Sequence, residues 1–246
     1  MTRGGLLAAS GLTKRYGGTL ANDAVDITLA PGEMRGLIGP NGAGKTTLIN
    51  LLSGLELPDS GRIHLDGVDV TARPPHRIAA AGLVRTFQVA RTFPSLSVRE
   101  NLIVPFLAAG GPGGIGGGLL RADELMTLAA LHPLANEPAS VLSGGQRVLL
   151  QACASFMIPS VRLHVFDEPF AGINPLLKDT LMALIERENA GSGRAFLIVS
   201  HEMEIVRRLC PRVTVMINGR VAAEGALEEI ARNPEVIGAY LGRASA

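Results

Sequence analysis

The sequence predicts an α/β fold in which a parallel sheet carries a glycine-rich loop. Three features predict it. Met34–Ile38 is a short strand that runs straight into Gly39-Pro-Asn-Gly-Ala-Gly-Lys-Thr46. Leu163–Phe166, apolar except for His164, and Ala195–Val199 suit strands covered on both faces. The last third alternates such runs with helical stretches, the order expected when crossover helices join parallel strands.

The elements follow in order. Leu6–Gly11, Ala24–Leu29 and Arg62–Val68 are short, partly alternating and bounded by Gly, Pro or Asp, which predicts strands. Thr47–Leu55 reads as the helix after the glycine-rich loop. In the middle, Ser97–Ala109, Ala122–Leu131 and Gln146–Phe156 read as helices, the last ended by Pro159. Gly110–Gly118, nearly all glycine, predicts a flexible loop between the first two. Leu176–Asn189 is an amphipathic helix. Arg212–Ala223 carries Asn218-Gly219 between two strand-like runs, a preferred hairpin turn. A helix over about Leu227–Leu241 closes the chain. No linker divides it, so the middle reads as a helical insertion into one domain.

Composition bounds the function. With 246 residues, 47% of them hydrophobic, the chain buries a large core without staples. A formal net charge of +1 argues against nucleic-acid binding through a strong basic field. Cys153 and Cys210 have no partner at metal-ligand spacing and read as reduced, buried thiols of a cytosolic protein. Met1–Ser10 shows no secretory leader, and no apolar stretch is long enough to span a membrane. The mean hydropathy of +0.28 is high for a soluble chain and compatible with a subunit that buries surface against partners.

Gly39, Pro40, Asn41, Gly42, Ala43, Gly44, Lys45 and Thr46 fit G-x-x-x-x-G-K-[ST] in full. Glycines let the backbone curl so that several N–H groups meet one set of phosphates. The following helix adds its unpaired donors and the positive end of its dipole. Lys45 reaches the β- and γ-phosphates, and the Thr46 hydroxyl suits Mg²⁺. Leu163–Phe166 ends in Asp167-Glu168. In a phosphate-loop enzyme an Asp there holds Mg²⁺, and Glu168 lies near the γ-phosphate to orient or deprotonate water. His164 in that strand reads as a packed, hydrogen-bonded histidine. His201 follows Ala195–Val199 and Ser200, at the sheet edge where parallel sheets bind ligands. Leu142-Ser-Gly-Gly-Gln146 opens another helix, with Ser143 as a good N-cap. As a second anion site it fits a symmetric dimer in which each subunit completes the other's nucleotide site; a plain helix cap is the alternative.

In this order the motifs resemble the nucleotide-binding subunits of ABC transporters, over essentially the whole chain. The resemblance rests on the phosphate loop, Leu142–Gln146, Asp167-Glu168, Gln88 in Thr-Phe-Gln, Ala171–Pro175 and His201. It implies a RecA-like phosphate-loop core with a parallel sheet, an N-terminal antiparallel β-subdomain, and a helical subdomain of about residues 88–157 inserted into a single domain over 1–246. It also implies roles. Tyr16 stacks on adenine; Lys45, Gly42, Gly44 and Thr47 bind phosphates; Thr46, Gln88 and, through water, Asp167 serve Mg²⁺. Glu168 is the general base and His201 contacts the γ-phosphate. Ser143, Gly144 and Gly145, with Gln146, close over ATP from the opposite subunit, and Gln88 reports nucleotide state to a membrane partner. Tyr16-Gly-Gly, Phe170–Pro175, Ser200–Met203 and the tail Asn233–Gly242 are similar to the LivG-type ATPases of branched-chain amino-acid importers. Four features depart from the pattern. Asn22 stands where an apolar residue often meets adenine, which loosens the base pocket. His164 replaces an apolar strand residue, Arg147–Phe156 lacks the usual basic cluster, and Gly110–Gly118 makes the helical insertion look loose.

The function implied is that of an ATP-hydrolysing, energy-coupling subunit at the cytoplasmic face of the membrane, with ATP and Mg²⁺ as cofactors. Its partners would be a second ATP-binding subunit, identical or paralogous, two transmembrane permease subunits and a solute-binding protein, with no nucleic acid. The solute would be a branched-chain amino acid or a related small polar or aromatic compound. The alternatives are the ATPase of a lipopolysaccharide or lipid exporter, a soluble non-transport ABC ATPase, and a nucleotide sensor without useful hydrolysis.

Overall fold

The computed structural model describes residues 5–241; Met1–Gly4 and Gly242, the end of the C-terminal motif, lie outside it. The chain runs β1 (Leu7–Tyr16), β2 (Thr19–Leu29), β3 (Met34–Ile38), α1 (Lys45–Leu52), β4 (Ser60–Leu65), β5 (Val68–Asp69), α2 (Pro75–Ala80) and β6 (Leu83–Thr86). It continues through α3 (Val98–Ala108), α4 (Gly114–Leu128), α5 (Gly144–Phe156), β7 (Leu163–Asp167), α6 (Pro175–Ser192), β8 (Ala195–Val199) and α7 (Met203–Leu209). It closes with β9 (Arg212–Ile217), β10 (Arg220–Gly225), α8 (Leu227–Ile230) and α9 (Pro234–Leu241).

Two sheets result. The order β2-β1-β4-β5 is antiparallel, and β10-β9-β3-β8-β7-β6 is parallel except for the terminal β10–β9 hairpin. The period of two in a strand explains the apolar runs. Leu163 and Val165 of β7, with Ala195, Leu197 and Val199 of β8, pack with α1 and the antiparallel sheet. Phe166, Phe196 and Ile198 face the other way, toward α5 and α6. Both faces of the parallel sheet are therefore buried, as its composition requires. Asn218 and Gly219, at φ 49° and 80°, make the tight β9–β10 turn.

His164 also faces α5 and α6, and it is fully buried. Its ring stacks on Phe196 at 5.1 Å and meets Phe156 edge-on, also at 5.1 Å. Its Nδ1 lies 3.3 Å from Ser155 Oγ, the packed and bonded histidine expected from the sequence. Burial first, and then the charge of Arg194, hold its pKa well below the ordinary 6.5.

The structure corrects two expectations. Gly114–Gly118 is not loop but the first turns of α4. Glycine is permitted there by close packing: a Cβ on Gly118 would lie 3.0 Å from the Phe106 ring, and one on Gly117 would lie 2.2 Å from Pro112 O. Of these glycines only Gly118 is pressed by Phe106 of α3, while Gly114 and Gly116 have nothing within 4 Å, and the helix forms despite a propensity deficit of about 1 kcal/mol per glycine. The closing helix is broken into α8 and α9 by Asn233-Pro234, because proline starts a helix far better than it continues one. α4 is also tied to the core by charge. Arg121 binds the buried Glu188 of α6, which pairs with Arg194 at 2.9 Å. Both cysteines are buried and free, their thiols pushed by burial up to about 12.

Candidate active site

The loop between β3 and α1 forms one wall of a cavity of about 490 Å³, whose lining also includes Tyr16, Glu168, His201 and Asn218. Its curl depends on glycine. Gly44 has φ 94°, and a Cβ there would lie 2.3 Å from Ala21 O. At Gly39 a Cβ would lie 2.2 Å from Met216 O. Lys45 Nζ donates to Gly39 O at 2.6 Å and Pro40 O at 3.0 Å, so the ammonium is held inside the loop by its own carbonyls. Burial lowers the Lys45 pKa, opposed by the charges of Glu168 and Asp167. Thr46 is exposed and, with Asn41, Gly42, Ala43 and Thr47, lines the cavity.

Asn22 does not face that cavity. It is fully buried, and its Nδ2 donates to Gly44 O at 3.2 Å. The departure noted in the sequence therefore touches the phosphate loop rather than the wall on which a base would lie. Tyr16 does line the cavity: it is 46% exposed, and its hydroxyl is fixed by Glu56.

The strand-end residues converge on the same cavity. Glu168 follows β7 with φ 47°, a conformation uncommon for a residue with a Cβ and typical of backbone strain stored at functional sites. Its N–H donates to Val199 O of β8 at 3.0 Å, which holds the bend. His201 Nε2 lies 2.9 Å from Glu168 Oε1, and Gln88 Nε2 donates to Glu168 Oε2 at 3.4 Å. Residues far apart in the chain are thus gathered on one carboxylate. Asp167, the last residue of β7, is bound by Arg85 of β6, a partner the sequence reading did not single out. No local signal pointed to it, because β6 is four residues long and pairs with β7 only in the fold.

Ser143–Gln146 are not among the residues lining this cavity. They open α5 with a capping box: Ser143 Oγ accepts from Gln146 N at 3.3 Å, and Gln146 Oε1 accepts from Ser143 N at 2.9 Å. Within one chain they therefore serve as the helix cap. Gly145 is packed, since a Cβ there would lie 2.5 Å from Leu177, whereas one on Gly144 would meet nothing within 4 Å. Val141 and Leu176, beside this turn and at the start of the neighbouring α6, are 58% and 74% exposed.

Residues 22–171 match the family described as "ABC transporter", and residues 220–246 match "Branched-chain amino acid ATP-binding cassette transporter". A probable branched-chain amino acid transport ATP-binding protein LivG of Archaeoglobus fulgidus is 37% identical, over 96% of this chain and 95% of its own. The high-affinity branched-chain amino acid transport ATP-binding protein BraF of Pseudomonas aeruginosa is also 37% identical, over 97% of this chain and 98% of its own. Among solved structures, the ADP conformation of an ATP-binding cassette of an ABC transporter superposes with a TM-score of 0.82 at 30% identity. That likeness covers 97% of this chain and 99% of the other.

Proposed function

We propose, from the premise that this chain belongs to the ABC transporter family of ATP-binding subunits and is an ATPase of that family, that it powers a branched-chain amino-acid importer. The observation that carries the catalytic part is the strained Glu168, held by His201 and Gln88 at the cavity edge. In this reading ATP stacks its base on Tyr16 and lays its phosphates against Gly39–Thr47, with Lys45 turning from the loop carbonyls to the β- and γ-phosphates. Glu168 orients a water and accepts its proton as that water attacks the γ-phosphorus, giving ADP and phosphate. His201 contacts the γ-phosphate and keeps Glu168 in place.

The donor set fits Mg²⁺. Thr46 and Gln88 offer a hydroxyl and an amide oxygen, and Asp167, through water, a carboxylate, all hard oxygen donors. Among the described residues no cluster of three or more His, Cys, Asp or Glu would cage a metal alone. That matches an ion bound through few carboxylates plus the substrate's phosphates. Bound there, Mg²⁺ supplies positive charge against the phosphate oxygens.

The rest of the machine follows from what one chain leaves open. The exposed Gly144 turn, flanked by Val141 and Leu176, is the face that would close over the ATP of a second subunit, identical or paralogous, in a head-to-tail dimer. No described helix is long and apolar enough to cross a membrane. The chain would therefore lie peripherally at the cytoplasmic face, with a solute-binding protein in the complex. Of the two permease subunits, one would dock on each ATP-binding subunit, here on the groove of about 360 Å³ beside Gln88, lined by Phe87, Arg91, Phe93 and Val104. Residues 88–157 would act as the helical subdomain that carries this groove.

Glu168→Gln tests the core of the proposal. It should bind ATP, accumulate as a dimer and hydrolyse less than about one hundredth as fast as the wild type. Undiminished steady-state hydrolysis would exclude the general-base role. Purification from native membranes should bring two permeases; recovery on ribosomes or DNA would reject the transport role.

A further inference from the structure

Asp167 does not stand alone at the end of β7. Arg85 on the neighbouring parallel strand pairs in register with Val165, two residues short of Asp167 and on the same side of the sheet. Only a long side chain spans that offset. Arg85 Nη2 donates to Asp167 Oδ2 at 2.8 Å, and the two side chains are 6% and 13% exposed. Arg85 Nη1 donates to Asn50 Oδ1 at 2.5 Å. Asn50 belongs to α1, the helix that begins at Lys45, and its Nδ2 donates to Glu56 Oε1 at 2.6 Å. The other Glu56 oxygen accepts from the Tyr16 hydroxyl. The Phe87 ring lies 5.3 Å from the guanidinium carbon. A line of hydrogen bonds therefore runs from the Tyr16 hydroxyl through Glu56, Asn50 and Arg85 to the Asp167 carboxylate.

We propose that Arg85 and Asn50 are positioning residues for the Mg²⁺ site, holding Asp167 by Oδ2 so that its other oxygen is presented to the water through which it serves the metal. The proposal rests on the Mg²⁺ reading of Thr46, Gln88 and Asp167 given above. An unrestrained carboxylate turns about its last torsion and presents either oxygen. The planar guanidinium, anchored on Asn50 and covered by Phe87, fixes one of them. Groups behind a ligand typically set metal affinity by 10- to 100-fold. Lysine is not equivalent here, because an ammonium lacks the fork that spans two acceptors.

The experiment uses Arg85→Lys, Asn50→Ala and the double variant. Each is titrated with trinitrophenyl-ATP in EDTA, and again across a Mg²⁺ series at fixed nucleotide. In EDTA all three should bind within about twofold of wild type, which also reports that they are folded. In Arg85→Lys the Mg²⁺ concentration at half effect should rise about tenfold. Asn50→Ala should shift it less, and the double variant no further than Arg85→Lys, because both act along one line. Mg²⁺ curves that superimpose on a responsive wild type overturn the positioning role. So does a loss in EDTA as large as the loss with Mg²⁺, which would make the pair structural only. A wild type indifferent to Mg²⁺ would instead remove the metal reading, and this proposal with it.

Discussion

His164 should make the protein acid-sensitive, and replacing it by leucine should remove that sensitivity. The ring is buried between Phe156 and Phe196, and its Nε2 has no hydrogen-bond partner. Protonation would place a charge in an apolar core that already faces Arg194. The folded pKa therefore lies below the unfolded value of about 6.5. As pH falls through 6.5 the unfolded chain binds the proton first, so stability is full above that value and is lost below it. While the folded ring stays neutral, each pH unit below 6.5 removes about 1.4 kcal/mol. Between pH 7.5 and 5.5 the loss from this group is about 1.4 kcal/mol, or roughly 3–6 °C in melting temperature for a chain of this size. Leucine leaves no orphan behind it, since Ser155 Oγ also donates to Ala152 O at 2.7 Å. The assay is urea unfolding of nucleotide-free wild type and His164→Leu across that pH range. The carboxylates contribute equally to both and cancel in the difference. Parallel stability curves would refute the argument, showing that His164 titrates alike in both states.

Gly44→Ala should abolish nucleotide binding and lower stability by about 1–3 kcal/mol, because a Cβ at φ 94° collides with Ala21 O; calorimetry with and without ATP checks both. Glu188→Gln should destabilise by about 3–5 kcal/mol in chemical denaturation, because Glu188 is 5% exposed and compensates both Arg121 and Arg194. Phe93→Ala should leave the isolated chain's ATPase rate unchanged and weaken co-purification of permeases, since Phe93 is 54% exposed on the groove.

The site was legible where its chemistry is local. Gly39–Thr46 announces itself because one short backbone segment must curl around phosphate, and the strand before it and helix after it carry their own patterns. The positions of Asp167 and Glu168 at the end of β7 and of His201 just past β8 were legible because those strands are readable from apolar residues. Arg85 was not, because β6 is only four residues long and is a strand by virtue of pairing with β7. Asn22 was misjudged for a related reason. The family resemblance placed it against the base, but the residue is buried with its amide on the Gly44 carbonyl, a contact with another segment that no local pattern announces. The glycines of α4 read as loop because propensity is local, whereas the Phe106 ring that Gly118 accommodates belongs to α3.

These non-local contacts share a location. The carbonyls of a curled loop point away from the phosphates that its N–H groups face, and buried carbonyls need donors. Gly219 N, in the hairpin of the parallel sheet, supplies Ala43 O at 3.1 Å. Asn22, on β2 of the antiparallel sheet, supplies Gly44 O at 3.2 Å. The sheets also join directly there, with Asp23 N donating to Gly219 O at 2.9 Å. The loop is thus part of the joint between the sheets, so ordering its N–H face around a triphosphate also orders the junction behind it. Gly44 O also accepts from Leu48 N at 2.9 Å, so the Asn22 amide is a second donor there: it ties β2 to the start of α1, while its own Oδ1 has no partner.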